Sequence, residues 1–186
     1  MKENLESLYE KAVMIAQEAH KGQMDKGGNP YIEHPLYVAS QVETPELKMI
    51  AVLHDTLEDS NLTAEDLKEA GLPEEVVEAI AVLTHEDGNE EAYLDYIRRV
   101  ADNKMAARVK KEDLKHNMDM SRIQNPTEKD RKRRAKYEKA LQLLEELRRL
   151  WRDQPMAYQL LIKAELYRML ALLEQNQQFV VRSQLQ

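Results

Sequence analysis

The chain has 186 residues, enough for one domain of ordinary size with a real core, and carries 27 Lys and Arg against 34 Asp and Glu, a formal net charge of −7. That balance argues against a general nucleic-acid binder, whose footprint is basic, and the absence of cysteine excludes disulfides and thiolate metal sites. No apolar run approaches the roughly 20 residues of a membrane span, and the opening Met-Lys-Glu-Asn-Leu-Glu lacks the apolar segment of a secretion signal. The expected setting is therefore the cytoplasm, without membrane or nucleic acid as partner.

With 33% charged residues, five glycines, six prolines and few β-branched runs, the composition favours an all-α chain. Residues 4–21 read as a first helix, with Leu5, Leu8, Ala12, Ile15 and Ala19 on one face and Gly22 as its C′ residue. Gln23 to Tyr31, containing Gly27-Gly28-Asn29-Pro30, reads as a loop. A helix starts near His34-Pro35 and runs to about Val42. Thr44-Pro45-Glu46 caps the next, with Pro at the first helical position and an acid in the first turn. Thr63-Ala-Glu-Asp66 opens a short helix as a capping box, and Gly71-Leu72-Pro73 breaks it. Glu74 to Thr84 is helical, His85 to Asn89 is a loop, and two helices follow, over 90–100 and 101–118, with a break near Asp102-Asn103. Thr127-Glu-Lys-Asp130 caps a long helix to about Trp151, and Met156 to Gln175 is again helical. The expected organisation is one domain over 1–150 and a C-terminal helical extension over 151–186, whose Leu and Met stripes suit core packing or a homo-oligomer seam.

The chemistry gathers around Met49 to Asp59. An apolar run ends in His54-Asp55, with Glu58 and Asp59 following; on one continuous helix these four groups share one or two neighbouring stripes. Clustered carboxylates repel unless protons or a cation neutralise them, so a bound metal is the simplest reason for the pattern. Further ligands can come from His34 and from Asp113 in Arg108-Val-Lys-Lys-Glu-Asp-Leu-Lys-His-Asn117. Two imidazoles with two carboxylates suit Mn²⁺, Fe²⁺, Co²⁺ or Zn²⁺, and Glu58 and Asp59 then stand where they can orient or deprotonate a water. Composition and spacing do not assign Asp113; His20, His85 and His116 compete with it.

Three ordered segments, Tyr31-Ile-Glu-His34-Pro35, Leu53-His54-Asp55-Thr-Leu-Glu58-Asp59 and Val109-Lys-Lys-Glu-Asp113-Leu-Lys-His-Asn117-Met, resemble the HD-domain superfamily, in its RelA/SpoT-type alarmone hydrolase branch. The patterns there run Y-x-x-H-P, L-L-H-D-x-x-E-D and V-K-x-x-D-x-x-x-N, and the resemblance spans roughly residues 4–150. It implies an all-α HD-domain helical bundle. It implies His34, His54, Asp55 and Asp113 as ligands of one divalent metal ion, usually manganese. It further implies Glu58 and Asp59 as catalytic acids, Lys26 at a basic position suited to a phosphate, and Asn117 against the nucleotide. The activity implied is removal of the 3′-pyrophosphate from (p)ppGpp, with no length left for a nucleotide-synthetase domain.

Two positions depart from that pattern. Asp25 stands where the family has a guanine-stacking Arg nine positions before the first His ligand, and Asp119-Met120 replaces an Arg-Thr pair. An acid has no cation to stack on a base. These departures favour, as alternatives, an HD-fold hydrolase of another nucleotide or phosphoester, or a metal- or nucleotide-binding regulatory module without turnover. Arg108 and Lys110 are further candidates for phosphate contact, and Lys111-Glu112 predicts a more exposed third-motif helix than the family shows.

Overall fold

A computed structural model of the chain describes residues 4–85, 90–123 and 125–152. By contacts the chain divides into Met1–Leu147 and Arg148–Gln186, and every candidate site residue lies in the first unit. The expectations for 151–186, an added helical segment and an oligomer seam, lie outside the described residues.

The described residues form helices α1 (Leu5–Ala19), α2 (Glu33–Ser40), α3 (Pro45–Leu53), α4 (Thr56–Asp59), α5 (Ala64–Glu69), α6 (Glu74–Leu83), α7 (Glu90–Asp102), α8 (Lys104–Met118) and α9 (Glu128–Arg152), with a 3₁₀ turn at Met120–Arg122. No strand occurs among them; Met24 and Pro30 pair as an isolated bridge across the loop after α1. The local signals act as their chemistry dictates. Thr44 accepts from Leu47 N with Pro45 behind it, Thr63 and Asp66 cap each other, and Thr127 and Asp130 repeat that exchange. Gly22 takes φ 76° just past the end of α1, a left-handed conformation that costs glycine nothing.

Helix α3 is the centre. Met49, Ile50, Ala51, Val52 and Leu53 are all fully buried, so the C-terminal half of the helix is apolar around its whole circumference and enclosed, while Glu46 and Lys48 in its first half stay partly exposed. Helices α1, α2, α6 and α8 pack against it. Its buried C-terminal end is where His54 emerges.

Two expectations are corrected here. His54 to Asp59 is not one continuous helix: α3 ends at Leu53, Asp55 has φ −100° and ψ −6°, and α4 starts afresh with Glu58 N and Asp59 N bonded to Asp55 O. Helical periodicity does not report a two-residue break of this kind, and the break turns Glu58 and Asp59 away from one shared stripe. Second, Glu112 is buried, at 8% exposure, because Arg108 and Lys115 flank its carboxylate at 3.3 and 3.1 Å; pairing offsets the cost of burying the charge.

Candidate metal centre

Three helix-borne segments meet beside the end of α3. The loop after α1 leads into α2 and delivers His34 in its first turn. The α3–α4 junction delivers His54 and Asp55, and α8 delivers Asp113. One ligand atom from each of His34, His54 and Asp113 lies within 4.8 Å of the others, and all three residues are buried. His34 Nε2 is 3.2 Å from Asp113 Oδ1, and His54 Nε2 is 3.6 Å from it. Asp55 Oδ2 joins the same group, 3.0 Å from His54 Nε2 and 3.7 Å from His34 Nε2.

The ring orientations are set from behind. His54 Nδ1 lies 2.7 Å from Ala51 O, and a carbonyl can only accept, so that nitrogen carries a proton and Nε2 is the atom left to take a cation. That Nε2 is buried with no hydrogen-bond partner. It approaches two carboxylates without the geometry of a bond to either. A buried imidazole nitrogen stripped of water and left unbonded is costly, and a cation bound by Nε2 removes that cost. The donor set of two imidazoles and two carboxylates therefore fits a divalent metal.

The carboxylates are also held. Asp55 Oδ2 accepts from the Tyr31 hydroxyl at 2.6 Å. Asp113 Oδ1 accepts from Asn117 Nδ2 at 2.6 Å, and its Oδ2 faces Lys110 Nζ at 2.8 Å. Burial opposes ionisation of Asp113, but Lys110 and the two imidazoles outweigh it and hold its pKa below the usual range. Burial likewise disfavours a charged His54, and Asp55 and Asp113 outweigh it in the other direction.

The remaining residues singled out in the sequence divide by position. Glu58 lies outside the ligand cluster, its Oε1 accepting from His85 N. Surrounding protein raises its carboxyl to about 7, the Asp55 charge adds to this, and the His85 N–H opposes it. Asp59 Oδ2 accepts from Gln23 Nε2 at 3.0 Å, and Gln23 is in turn 2.7 Å from buried His20. Lys26 and Asn117 line a cavity of about 250 Å³ beside His34, together with Tyr31, Asp25, Arg122 and Arg133. Arg108 and Lys110 do not line it: Arg108 pairs with Glu43 and Glu112, and Lys110 with Asp113.

Spacing and residue type give no role to Tyr31, Gln23 or Arg122, and mark Asp25 only as a departure from the family. In the fold Asp25 is fully engaged: Oδ1 accepts from Gly27 N and Asn29 N at 2.8 Å each, and Oδ2 meets Arg122 Nη2 at 2.8 Å. Burial opposes its ionisation, but these donors prevail and hold its pKa low.

Helices alone around a buried His/Asp cluster define an all-α HD-type bundle, and comparison with known proteins narrows that class. No family model matches the chain. In fold the chain is similar to a solved structure described as a metazoan ortholog of SpoT that hydrolyzes ppGpp, with a TM-score of 0.62 at 20% identity over 77% of this chain and 95% of that one. In sequence it is 34% identical over 117 residues to guanosine-3′,5′-bis(diphosphate) 3′-pyrophosphohydrolase of Haemophilus influenzae, a match covering 56% of this chain and 17% of that protein. It is 31% identical over 144 residues to a probable GTP pyrophosphokinase of Mycobacterium leprae, covering 71% of this chain and 18% of that protein. It is 39% identical over 62 residues to the bifunctional (p)ppGpp synthase/hydrolase SpoT of Escherichia coli, covering 31% of this chain and 9% of that protein. The chain is thus similar to one segment of each of these proteins, and its matches span only these small shares of the curated relatives' length.

Proposed function

We propose that this chain is a metal-dependent phosphohydrolase whose substrate is guanosine 3′,5′-bis(diphosphate), cut at the 3′-pyrophosphate. The observation that carries the metal half is the buried, unbonded His54 Nε2 facing His34, Asp55 and Asp113. The relatives' printed activities support the substrate half. A divalent cation held by those four residues, manganese in this reading, supplies a Lewis acid for the phosphoryl oxygens and lowers the pKa of a water.

Hydrolysis adds water across the bond between phosphorus and the sugar 3′ oxygen. One proton leaves the water and one reaches the 3′ oxygen. Glu58, raised toward neutrality, exchanges protons readily near pH 7 and takes that role. Asp59, with one oxygen held by Gln23, orients the water. Lys26, with Arg122 and Arg133 on their Asp25 and Asp130 partners, supplies the adjacent cavity with cations that a polyphosphate can engage. Asn117 bridges the two regions, donating to Asp113 while lining the cavity. The substrate is taken from the cytoplasmic nucleotide pool.

One observation favours a second reading within the same chemistry. Asp25, with both oxygens occupied and Arg122 drawn onto it, offers no stacking cation for guanine, which suits another nucleotide or phosphoester. A panel of guanosine bis(diphosphates), nucleoside monophosphates and nucleoside triphosphates, assayed with Mn²⁺ and resolved by anion-exchange chromatography, separates the two. Pyrophosphate from the bis(diphosphate) alone is the expected result. Turnover of a different nucleotide with the bis(diphosphate) untouched decides for the second reading.

A further inference from the structure

We infer that His116 is a positioning residue for the metal centre, which acts through His34 and is itself locked by Arg122 and Asp25. The inference rests on the metal reading of His34 and not on the identity of the substrate.

His34 Nδ1 lies 2.7 Å from His116 Nδ1, with the two rings parallel to within 3°. Two facing ring nitrogens share one proton, and the contact alone does not say whose it is. Arg122 decides it. Its Nη1 lies 3.2 Å from the same His116 Nδ1 and 3.4 Å from His116 O. A guanidinium only donates, so His116 Nδ1 is an acceptor and the shared proton sits on His34 Nδ1. His34 Nε2 then presents its lone pair toward Asp113 and Asp55, the tautomer a metal ligand needs. The parallel with His54 is direct. There a backbone carbonyl fixes the tautomer; for His34 a second imidazole does so.

Arg122 does not reach His116 by chance of a loose loop. Its Nη2 is anchored on Asp25 Oδ2 at 2.8 Å, across 97 residues of chain. The Asp25 loop docks so closely that a Cβ on Gly27 would lie 2.6 Å from Arg122 O. Tyr37 covers the His116 ring face at a centroid distance of 4.0 Å. The route Asp25, Arg122, His116, His34 is therefore continuous. It explains why an acid stands at position 25: it holds Arg122, which holds the tautomer of a ligand.

Two substitutions separate this role from packing. His116→Phe keeps a ring against Tyr37 and removes the acceptor. His116→Asn loses the ring but keeps an acceptor oxygen at the position of Nδ1. Mn²⁺ titration of the chelator-stripped full chain, read by electron paramagnetic resonance, gives affinity without reference to turnover. Outer-shell partners of metal-bound histidines are worth roughly 10- to 100-fold in affinity. We expect a loss of that order for His116→Phe and a smaller one for His116→Asn, with Arg122→Gln between wild type and His116→Phe. Wild-type affinity in His116→Phe, or a larger loss in Asn than in Phe, overturns the inference while leaving the metal reading in place. Failure of the wild-type chain to bind Mn²⁺ overturns both. Should the His116 variants misfold, long-range ¹H–¹⁵N spectra of the wild-type Zn²⁺-loaded chain read the tautomers directly. Protonation of His34 on Nδ1 and of His116 on Nε2 supports the assignment; a proton on His116 Nδ1 overturns it.

Discussion

In the metal-free protein a carboxyl raised toward neutrality, as Glu58 is, makes the folded state keep a proton that the unfolded chain has already lost. The unfolded pKa is about 4.3. Between there and about 7 the folded state binds more protons, so this residue's contribution to stability falls as pH rises. Glu58→Gln keeps an acceptor for His85 N and removes the titration. Its melting temperature relative to wild type should climb between pH 4.5 and pH 8 in chelator, and a pH-independent difference would contradict the raised carboxyl. Under the proposed reaction the same substitution lowers kcat by roughly 10²- to 10⁴-fold, the usual weight of a positioned acid or base. Asp113 yields a second residue-level test. Lys110, at 13% side-chain exposure, has Asp113 as its ion-pair partner. Asp113→Ala leaves that ammonium buried without a counter-charge, at a cost of about 3–5 kcal/mol. Denaturant melts should show the loss, and adding Lys110→Met should recover much of it, because a buried pair replaced together by apolar groups is often neutral.

The helix caps were legible because each is a local exchange between residues two or three apart. Thr44, Thr63 and Thr127 could be placed from type and spacing alone, and the structure has all three at helix starts. Asn103 is a fourth, accepting from Met105 N and Ala106 N at 3.0 Å each. It opens the helix that delivers Asp113, so Asn103→Ala should cost about 0.5–2 kcal/mol in urea melts, with Mn²⁺ affinity retained once the protein is folded. The α3–α4 break was not legible, since His54, Glu58 and their neighbours keep helical spacing across it. Nor was the burial of Glu112, which depends on two flanking cations rather than on the residue's own polarity. Ion pairing across long separations leaves no trace in periodicity. Asp25 and Arg122 meet only in the folded chain, and so the position that looked like a lost substrate contact proved to be an anchor for another side chain.

At the scale of the whole molecule, burial of α3 brings three separate motifs to one point, and a cation held there would tie α2, the α3–α4 junction and α8 together. A ligand that binds only the folded state stabilises it by mass action. With free Mn²⁺ at about 100 times its Kd the gain is about 2.7 kcal/mol, or roughly 5–10 °C in melting temperature. Chelation should remove that shift, and Asp55→Ala should show none. The three motifs were legible as motifs, and their meeting followed from the resemblance rather than from spacing, which had left Asp113 in competition with three histidines. The central claim is that this meeting point is a metal centre that hydrolyses a nucleotide. The most direct test is Mn²⁺-dependent pyrophosphate release from guanosine 3′,5′-bis(diphosphate), measured side by side for the wild-type chain and Asp55→Ala. Release by the wild type that is lost in the variant and in chelator is the predicted result; equal release by both, or none by the wild type at any Mn²⁺ concentration, would contradict it.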